Sequence, residues 1–440
     1  MSRIRALSIL LAALLALTLI APAAAQEPTT ITLMRFFGEC SDEFAGITDL
    51  EQAYGECGII QVLINKWNAE NPDLQVETVV ADWPATVQLN AALAAGAPPD
   101  IVVLHNERIA SYVARGLLTP LGDAFAAAGI DMSDFIPAAQ ERVTMNGQIF
   151  GLPWDIPSPG LWQLNMDVWA QAGLVDDAGA PVLPTSEEEF LAAAQKVKDA
   201  TGLPFVDLQT DGHNGTTWPW ISFIYQQGGS IIDADGNPNV NTPEALRALT
   251  FLKSWIDLGY TTPKLDYSAA EQNFLNGRNA SWFTGTWVVD FYVKQVEDPE
   301  TPLKNYRVAP YPQLYEKRAS FASGHNWVVP LGVNADPARL EPIMRVMKFL
   351  YDNEFAWAKT GHIAVRQSIL DSPEYQAMPH RNEYAEVADI TFTYPNASWI
   401  LAFESITNEE IQAVYIGDKT PEQALADMQA RLEDFAAFAQ

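Results

Sequence analysis

Ile59-Ile-Gln-Val-Leu-Ile-Asn-Lys-Trp-Asn68, Leu74-Gln-Val-Glu-Thr-Val-Val80, Gln88-Leu-Asn-Ala-Ala-Leu-Ala-Ala95 and Asp100-Ile-Val-Val-Leu104 succeed one another with only short breaks between them. Ile60, Leu63, Ile64 and Trp67 recur at helical spacing, and Asn71-Pro72 stops that helix. Leu74–Val80 reads as a strand. The helix over Gln88–Ala95 ends at Gly96, with Pro98-Pro99 behind it. Asp100 opens an unbroken apolar run to Leu104, the pattern of a strand covered on both faces. Ahead of these lies another strand-like run, Ile31–Phe37. Strand, helix, strand, helix, strand is the signature of a parallel α/β sheet with right-handed crossovers.

The alternation resumes downstream. Gln148–Pro153 and Leu161–Leu164 are strand-like, and Thr185 with Glu188 predicts a capping box for a helix running to about Ala200. Thr242-Pro243-Glu244 starts a helix that Gly259 ends, and Thr420-Pro421 starts the last one. Two α/β units are expected. The 440 residues, 48% hydrophobic and 18% charged, are enough for two or three cores.

A formal net charge of −29 repels phosphate backbones and anionic lipid, so no nucleic-acid partner is expected. Residues 1–25 read as a cleavable secretory leader: Arg3 and Arg5, an apolar run Leu7–Ile20, then Ala23-Ala24-Ala25. The competing reading is a membrane anchor, for which the run is short. No cysteine follows it closely, which argues against a lipid anchor. The expected location is periplasmic or otherwise extracytoplasmic. In an oxidising compartment Cys40 and Cys57 are expected to form a disulfide, pinning an insertion between the first strand and the first helix.

Enzyme signatures fail. There is no G-x-S-x-G, H-E-x-x-H, P-loop or G-x-G-x-x-G. Histidines 105, 213, 325, 362 and 380 are scattered without metal-ligand spacing, so neither a metal nor a cofactor is expected. Asp233-Ala-Asp-Gly-Asn237 begins like a calcium loop, but Pro238 stands where the turn glycine belongs; a hairpin turn is the better reading.

Aromatic residues are the unusual feature, with 13 Trp, 14 Tyr and 20 Phe. Trp67, Trp169, Trp255 and Trp357 fall on predicted helices and read as core. Trp83, Trp154, Trp218 and Trp287 have Gly, Pro, Asp or Thr beside them and could line a pocket or pack inside. Trp327 reads as structural, with His325 and Asn326 the better site candidates. His105 and Asn106 end the buried strand, where ligands gather in open parallel sheets, unless they serve as a helix cap. Indole faces stack on the C–H faces of pyranoses, and polar neighbours pair with sugar hydroxyls.

Taken in order, several segments resemble family 1 extracellular solute-binding proteins, the sugar-binding components of ABC importers related to maltodextrin-binding protein. They are Leu89–Gly96 with Pro99-Asp-Ile-Val-Val103, Ala114–Leu121, Asn146–Pro153 with Trp162-Gln-Leu-Asn165, Pro184–Phe190, Gln227-Gly-Gly229, and Phe274-Leu-Asn-Gly277 with Trp282–Trp287. The Cys40–Cys57 insertion departs from the family, and Gln163 stands where Tyr is frequent. The resemblance implies a two-lobed, type II periplasmic-binding-protein (Venus-flytrap) architecture with hinge crossovers near 158–163, 305–311 and 356–364. Lobe one would be 26–158 plus 310–356, and lobe two 161–305 plus 362–440. The implied contacts are Phe37, Asp82, Trp83, His105, Asn106, Asp155, Gly285, Thr286, Trp287, His325, Asn326 and Arg366, the last alternatively a surface ion pair. A monomer is expected to bind a sugar and deliver it to permease subunits. A polyamine cargo, or a carbohydrate-active enzyme using Asp82 or Asp155, are the alternatives.

Overall fold

The computed structural model describes residues 29–211, 215–331, 337–395, 397 and 399–438. The leader expected at 1–25 and His213 lie outside the described residues.

Strand β1 (Thr29–Arg35) pairs in parallel with β2 (Leu74–Val80) and β3 (Ile101–His105), as the opening run predicts. β4 (Thr144–Met145) and β5 (Gln148–Ile149) form a hairpin turned at Asn146-Gly147, both at positive φ. β6 (Leu152–Asp155) is a separate strand, so the single strand expected over 148–153 divides. With β11 (His325–Val328) it completes a sheet of order β2-β1-β3-β11-β6. β3 is buried along its whole length, whereas β2 is an edge strand whose Val79 and Val80 face solvent.

The first helix starts earlier than its apolar face suggests, at Gly55 rather than Ile59, and runs to Glu70. Cys57 therefore sits in its first turn, and the Cys40–Cys57 disulfide ties a compact loop to the helix start. Phe44 of that loop packs on Gly58, where a Cβ would stand 2.6 Å from the ring. The box at Thr185 is displaced by one residue. Ser186 caps the helix Glu187–Thr201 by accepting from the Glu189 amide, and Glu189 accepts from Thr185 in return. Asp233 accepts the amides of Asp235 and Asn237 in the predicted turn.

The second sheet, β8-β7-β9 (Ser281–Thr284, Leu161–Asn165, Tyr306–Pro310), is antiparallel throughout, against the expectation of a repeated parallel unit. Helices Thr217–Gln226, Pro243–Asp257, Ile400–Tyr415 and Pro421–Phe438 surround this sheet. β10 (Ser320–Phe321) pairs with β12 (Thr391–Phe392) nearby.

One core joins Ile31, Leu33, Ile60 and Leu63 to Trp154, Trp327 and Trp357, and extends to Trp282 and Tyr292 under the second sheet. A second holds Trp162, Trp169, Phe190, Trp220, Trp255 and Trp399, and two smaller clusters gather around Leu104 and around Ile369. Burying each such side chain contributes roughly 1.5–3 kcal/mol. Trp67, Trp169, Trp255, Trp357 and Trp327 are all buried, as read. Past residue 310, Tyr311, Leu314 and Phe321 pack in the second core, and the chain re-enters the first sheet only at β11. Ile156 bridges Ile363, and Ser323 donates its amide to Pro157 O, so three connecting segments cross side by side. No helix among the described residues is long and apolar enough to cross a membrane.

Candidate ligand-binding cleft

The register of the first sheet assembles the polar centre. His325 lies opposite His105 on one side and Asp155 on the other, so the end of β3, the end of β6 and the start of β11 form one row. Above this row, where the connecting segments Pro157 and Pro159 pass, is a cavity of about 600 Å³.

Rings make most of its wall. Trp83 meets Trp218 at 6.3 Å and 89°, and Trp218 meets Trp287 at 6.1 Å and 69°. Phe36 stacks on His105 at 5.3 Å. Trp287 donates Nε1–H to the Tyr267 hydroxyl at 2.8 Å. Its ring lies where a Cβ on residue 285 would stand, only 2.0 Å away, which is why Gly285 precedes it. Nε1 of Trp218 is buried and makes no hydrogen bond in the structure.

Carboxylates supply the polar wall: Glu43, Glu56, Glu107, Glu271 and Glu404. None of the described lining residues is Lys or Arg. Arg108 pairs with Glu404 from behind, a contact between the helix Asn106–Ala114 and the helix Ile400–Tyr415. Burial pushes Glu271 up to about 7.

The histidines differ. Burial, with His325 and Arg108 nearby, holds His105 well below its ordinary value. It is therefore neutral, accepting at Nε2 from Trp83. Burial opposes a proton on His362, but Asp155 and Glu56 outweigh it and raise the imidazole. Asp155 is fully buried, yet His325 and His362 bring it below the usual carboxylate range. Although no pair is close in sequence, Glu56, His325 and His362 each bring one ligand atom within 4.8 Å of the others. Three segments distant in sequence meet here.

A family model described as bacterial extracellular solute-binding protein matches residues 58–357. The chain belongs to that family. Its fold is that of the type II periplasmic binding proteins, two α/β lobes with hinge crossovers. Maltose-bound MalE3 of T. maritima superposes with a TM-score of 0.77 at 20% identity, covering 92% of this chain and 99% of its own. UgpB of Mycobacterium tuberculosis, solved with glycerophosphocholine, gives 0.74 at 19% identity, covering 93% and 98%. The sn-glycerol-3-phosphate-binding periplasmic protein UgpB of Escherichia coli O1:K1 is 24% identical over 407 residues, 84% of this chain and 88% of that one. The family is one of extracellular solute-binding proteins, and these relatives are binding proteins.

Of the residues singled out in its sequence, Phe37, Trp83, His105, Trp218, Trp287 and His325 line the cavity. The others do not. Trp154 is fully buried between Trp327 and Trp357, packed at 5.9 and 5.6 Å. Asp155 lies beneath the cavity, accepting from His325 and Trp357. Asp82 is exposed and accepts from Gln88. Asn106 bridges Ser323 and Thr393, and Asn326 donates to Gly324 O. Thr286 bonds His362 Nδ1, while Gly285 O accepts from Gln163. Arg366 is the ion pair: it donates to Asp134 at 2.8 Å and stacks 3.9 Å over Tyr351.

Sequence reasoning missed the wall built by the disulfide loop, Glu43, Phe44, Tyr54 and Glu56, together with Glu107, Gln209, Tyr267, Glu271 and Glu404. Only the loop announced itself, through its paired cysteines.

Proposed function

We propose that this protein captures a sugar, a mono- or oligosaccharide, between its lobes and delivers it unchanged to the permease. The observation that carries the reading is the set of mutually tilted indoles Trp83, Trp218 and Trp287 around a cavity of about 600 Å³. Indole faces cover C–H faces, while Glu43, Glu107, Gln209 and Glu271 accept from hydroxyl groups that would otherwise lose their partners on burial. The buried Nε1–H of Trp218 is a donor for a sugar oxygen. The moving bodies are lobe one, 26–158 plus 322–356, and lobe two, 161–321 plus 362–440, the second core holding Tyr311, Leu314 and Phe321 and the first Ala322. Interactions that the cargo makes only with the closed lobes shift the equilibrium toward that state. Affinity on the order of micromolar suits a cargo that must be released. The chain acts as a monomer, exported by a leader cleaved after Ala25 and not lipid-anchored.

Five glutamates, with no Lys or Arg among the described lining residues, favour a second reading, a polyamine or similar cation held against the rings. The same wall repels a phosphate ester such as sn-glycerol-3-phosphate, the ligand named for the Escherichia coli relative. Calorimetry and tryptophan emission with mono- and disaccharides, a diamine and sn-glycerol-3-phosphate decide among them. Sugar binding alone supports the first reading; a response to the diamine alone replaces it with the second, and a response to the phosphate overturns both. Recovery of an oligosaccharide in shortened form after long incubation would convert the carrier into an enzyme.

A further inference from the structure

We propose that Glu56, His325 and His362 form a binding site for a divalent transition metal, Zn²⁺ by chemistry, with one coordination position open to the cavity. This goes beyond the cargo reading and does not depend on it. One ligand atom from each residue already lies within 4.8 Å of the other two. Two imidazoles and a carboxylate are the donor set of three-ligand zinc sites, which leave a fourth position for water or substrate.

Both imidazoles are oriented from behind. His362 Nδ1 bonds the Thr286 hydroxyl at 2.9 Å, which leaves Nε2 facing the Glu56 carboxylate at 2.8 Å. His325 Nδ1 donates to Asp155 at 3.1 Å, leaving Nε2 for a ligand. Such outer contacts select the tautomer and aim the ring. Asp155 and Thr286 are thereby positioning residues, which accounts for two polar groups that lie next to the cavity without lining it. Asp155 also adds a buried negative charge close to His362, at 3.8 Å from its Nε2, so the surroundings favour a cation.

The three ligands arrive from separate segments. Glu56 is in the first turn of the helix whose start the Cys40–Cys57 disulfide ties down. His325 opens β11, and His362 lies on the connecting segment beside Ile363, which bridges Ile156. Glu56 and His325 both line the cavity, so a bound ion presents its open position to whatever solute enters. A hydroxyl or carboxylate oxygen of the cargo would take that position.

The test uses the full mature chain, stripped with a chelator and carrying no sugar. Zn²⁺ is titrated by calorimetry, and Co²⁺ by its visible d–d absorption. The expected result is one ion per chain with a raised melting temperature and a Co²⁺ spectrum of low coordination number. Glu56→Gln and His362→Gln should each weaken Zn²⁺ binding about 100-fold or more, beyond what outer-sphere changes typically cost. Glu56 is only half-buried, so Glu56→Gln alone decides if His362→Gln fails to fold by circular dichroism. No uptake by the wild type, or uptake unchanged in Glu56→Gln because exposed carboxylates hold the ion, overturns the proposal.

Discussion

The indole N–H of Trp83 donates to Nε2 of His105 at 3.1 Å. Because indole can only donate, His105 must carry its proton on Nδ1, which meets the Ser323 hydroxyl at 3.1 Å; that hydroxyl in turn donates to Glu107 at 2.6 Å. A chain of donors runs in one direction along the cavity wall. Trp83→Phe keeps an aromatic ring, though a smaller one, and removes the donor. His105 should then populate both tautomers, read by nitrogen NMR. Cargo affinity should fall about tenfold by calorimetry, the scale of one lost buried hydrogen bond.

Arg108 and Glu404 join helices on opposite sides of the cleft, both nearly buried. Arg108→Met strands Glu404 near Glu107. Breaking such a pair costs about 3–5 kcal/mol, whereas removing both charges is far milder. The single variant should therefore open the lobes, seen as a larger radius of gyration in solution scattering and weaker cargo binding. The double variant Arg108→Met/Glu404→Met should recover most of both.

Trp154 and Trp287 look alike in sequence and should behave oppositely. Trp154→Ala leaves a hole in the first core and should destabilise by about 3–5 kcal/mol in denaturant unfolding. Trp287→Ala, at the cavity, should lower cargo affinity with a much smaller effect on unfolding.

Strand β2 and the buried strand β3 were readable because their apolar patterns are local, and the helix caps at Thr242 and Thr420 likewise. The site was readable in part. Trp83, Trp218 and Trp287 carry polar neighbours, but so does Trp154, and a strand pleat sends successive side chains to opposite faces. Nothing local tells which face meets the cavity. Glu271 and Glu404 sit on helices and look like ordinary surface acids until the lobes are packed.

The disulfide closes a loop with a sequence separation of 17. Replacing both cysteines by serine should cost about 3 kcal/mol in the chain-entropy account. It should also weaken cargo binding, since Glu43, Tyr54 and Glu56 stand on or beside that loop. Thermal melting with and without reductant measures the first effect, calorimetry the second.

Glu271 sets a pH dependence. Burial raises its carboxyl to about 7, with Tyr292 donating to it. Between the unfolded value near 4.5 and about 7, the folded protein holds a proton that the unfolded chain has lost. Its contribution to stability is present in full below about 4.5 and lost as pH rises through about 7, a change of at most about 3 kcal/mol. Glu271→Gln should flatten that fall, and urea unfolding at pH 5 and pH 8 checks it.

By itself the sequence determined the class of fold, the family, the paired cysteines and an aromatic character suited to ligand capture, because apolar period, turn residues and composition act over a few residues. The tertiary structure alone decided which indoles face the cavity, that Arg366 is spent on Asp134, and that Glu56, His325 and His362 meet. Those outcomes depend on strand register and on how connecting segments cross. Both are set by packing between residues hundreds of positions apart, which no local pattern encodes.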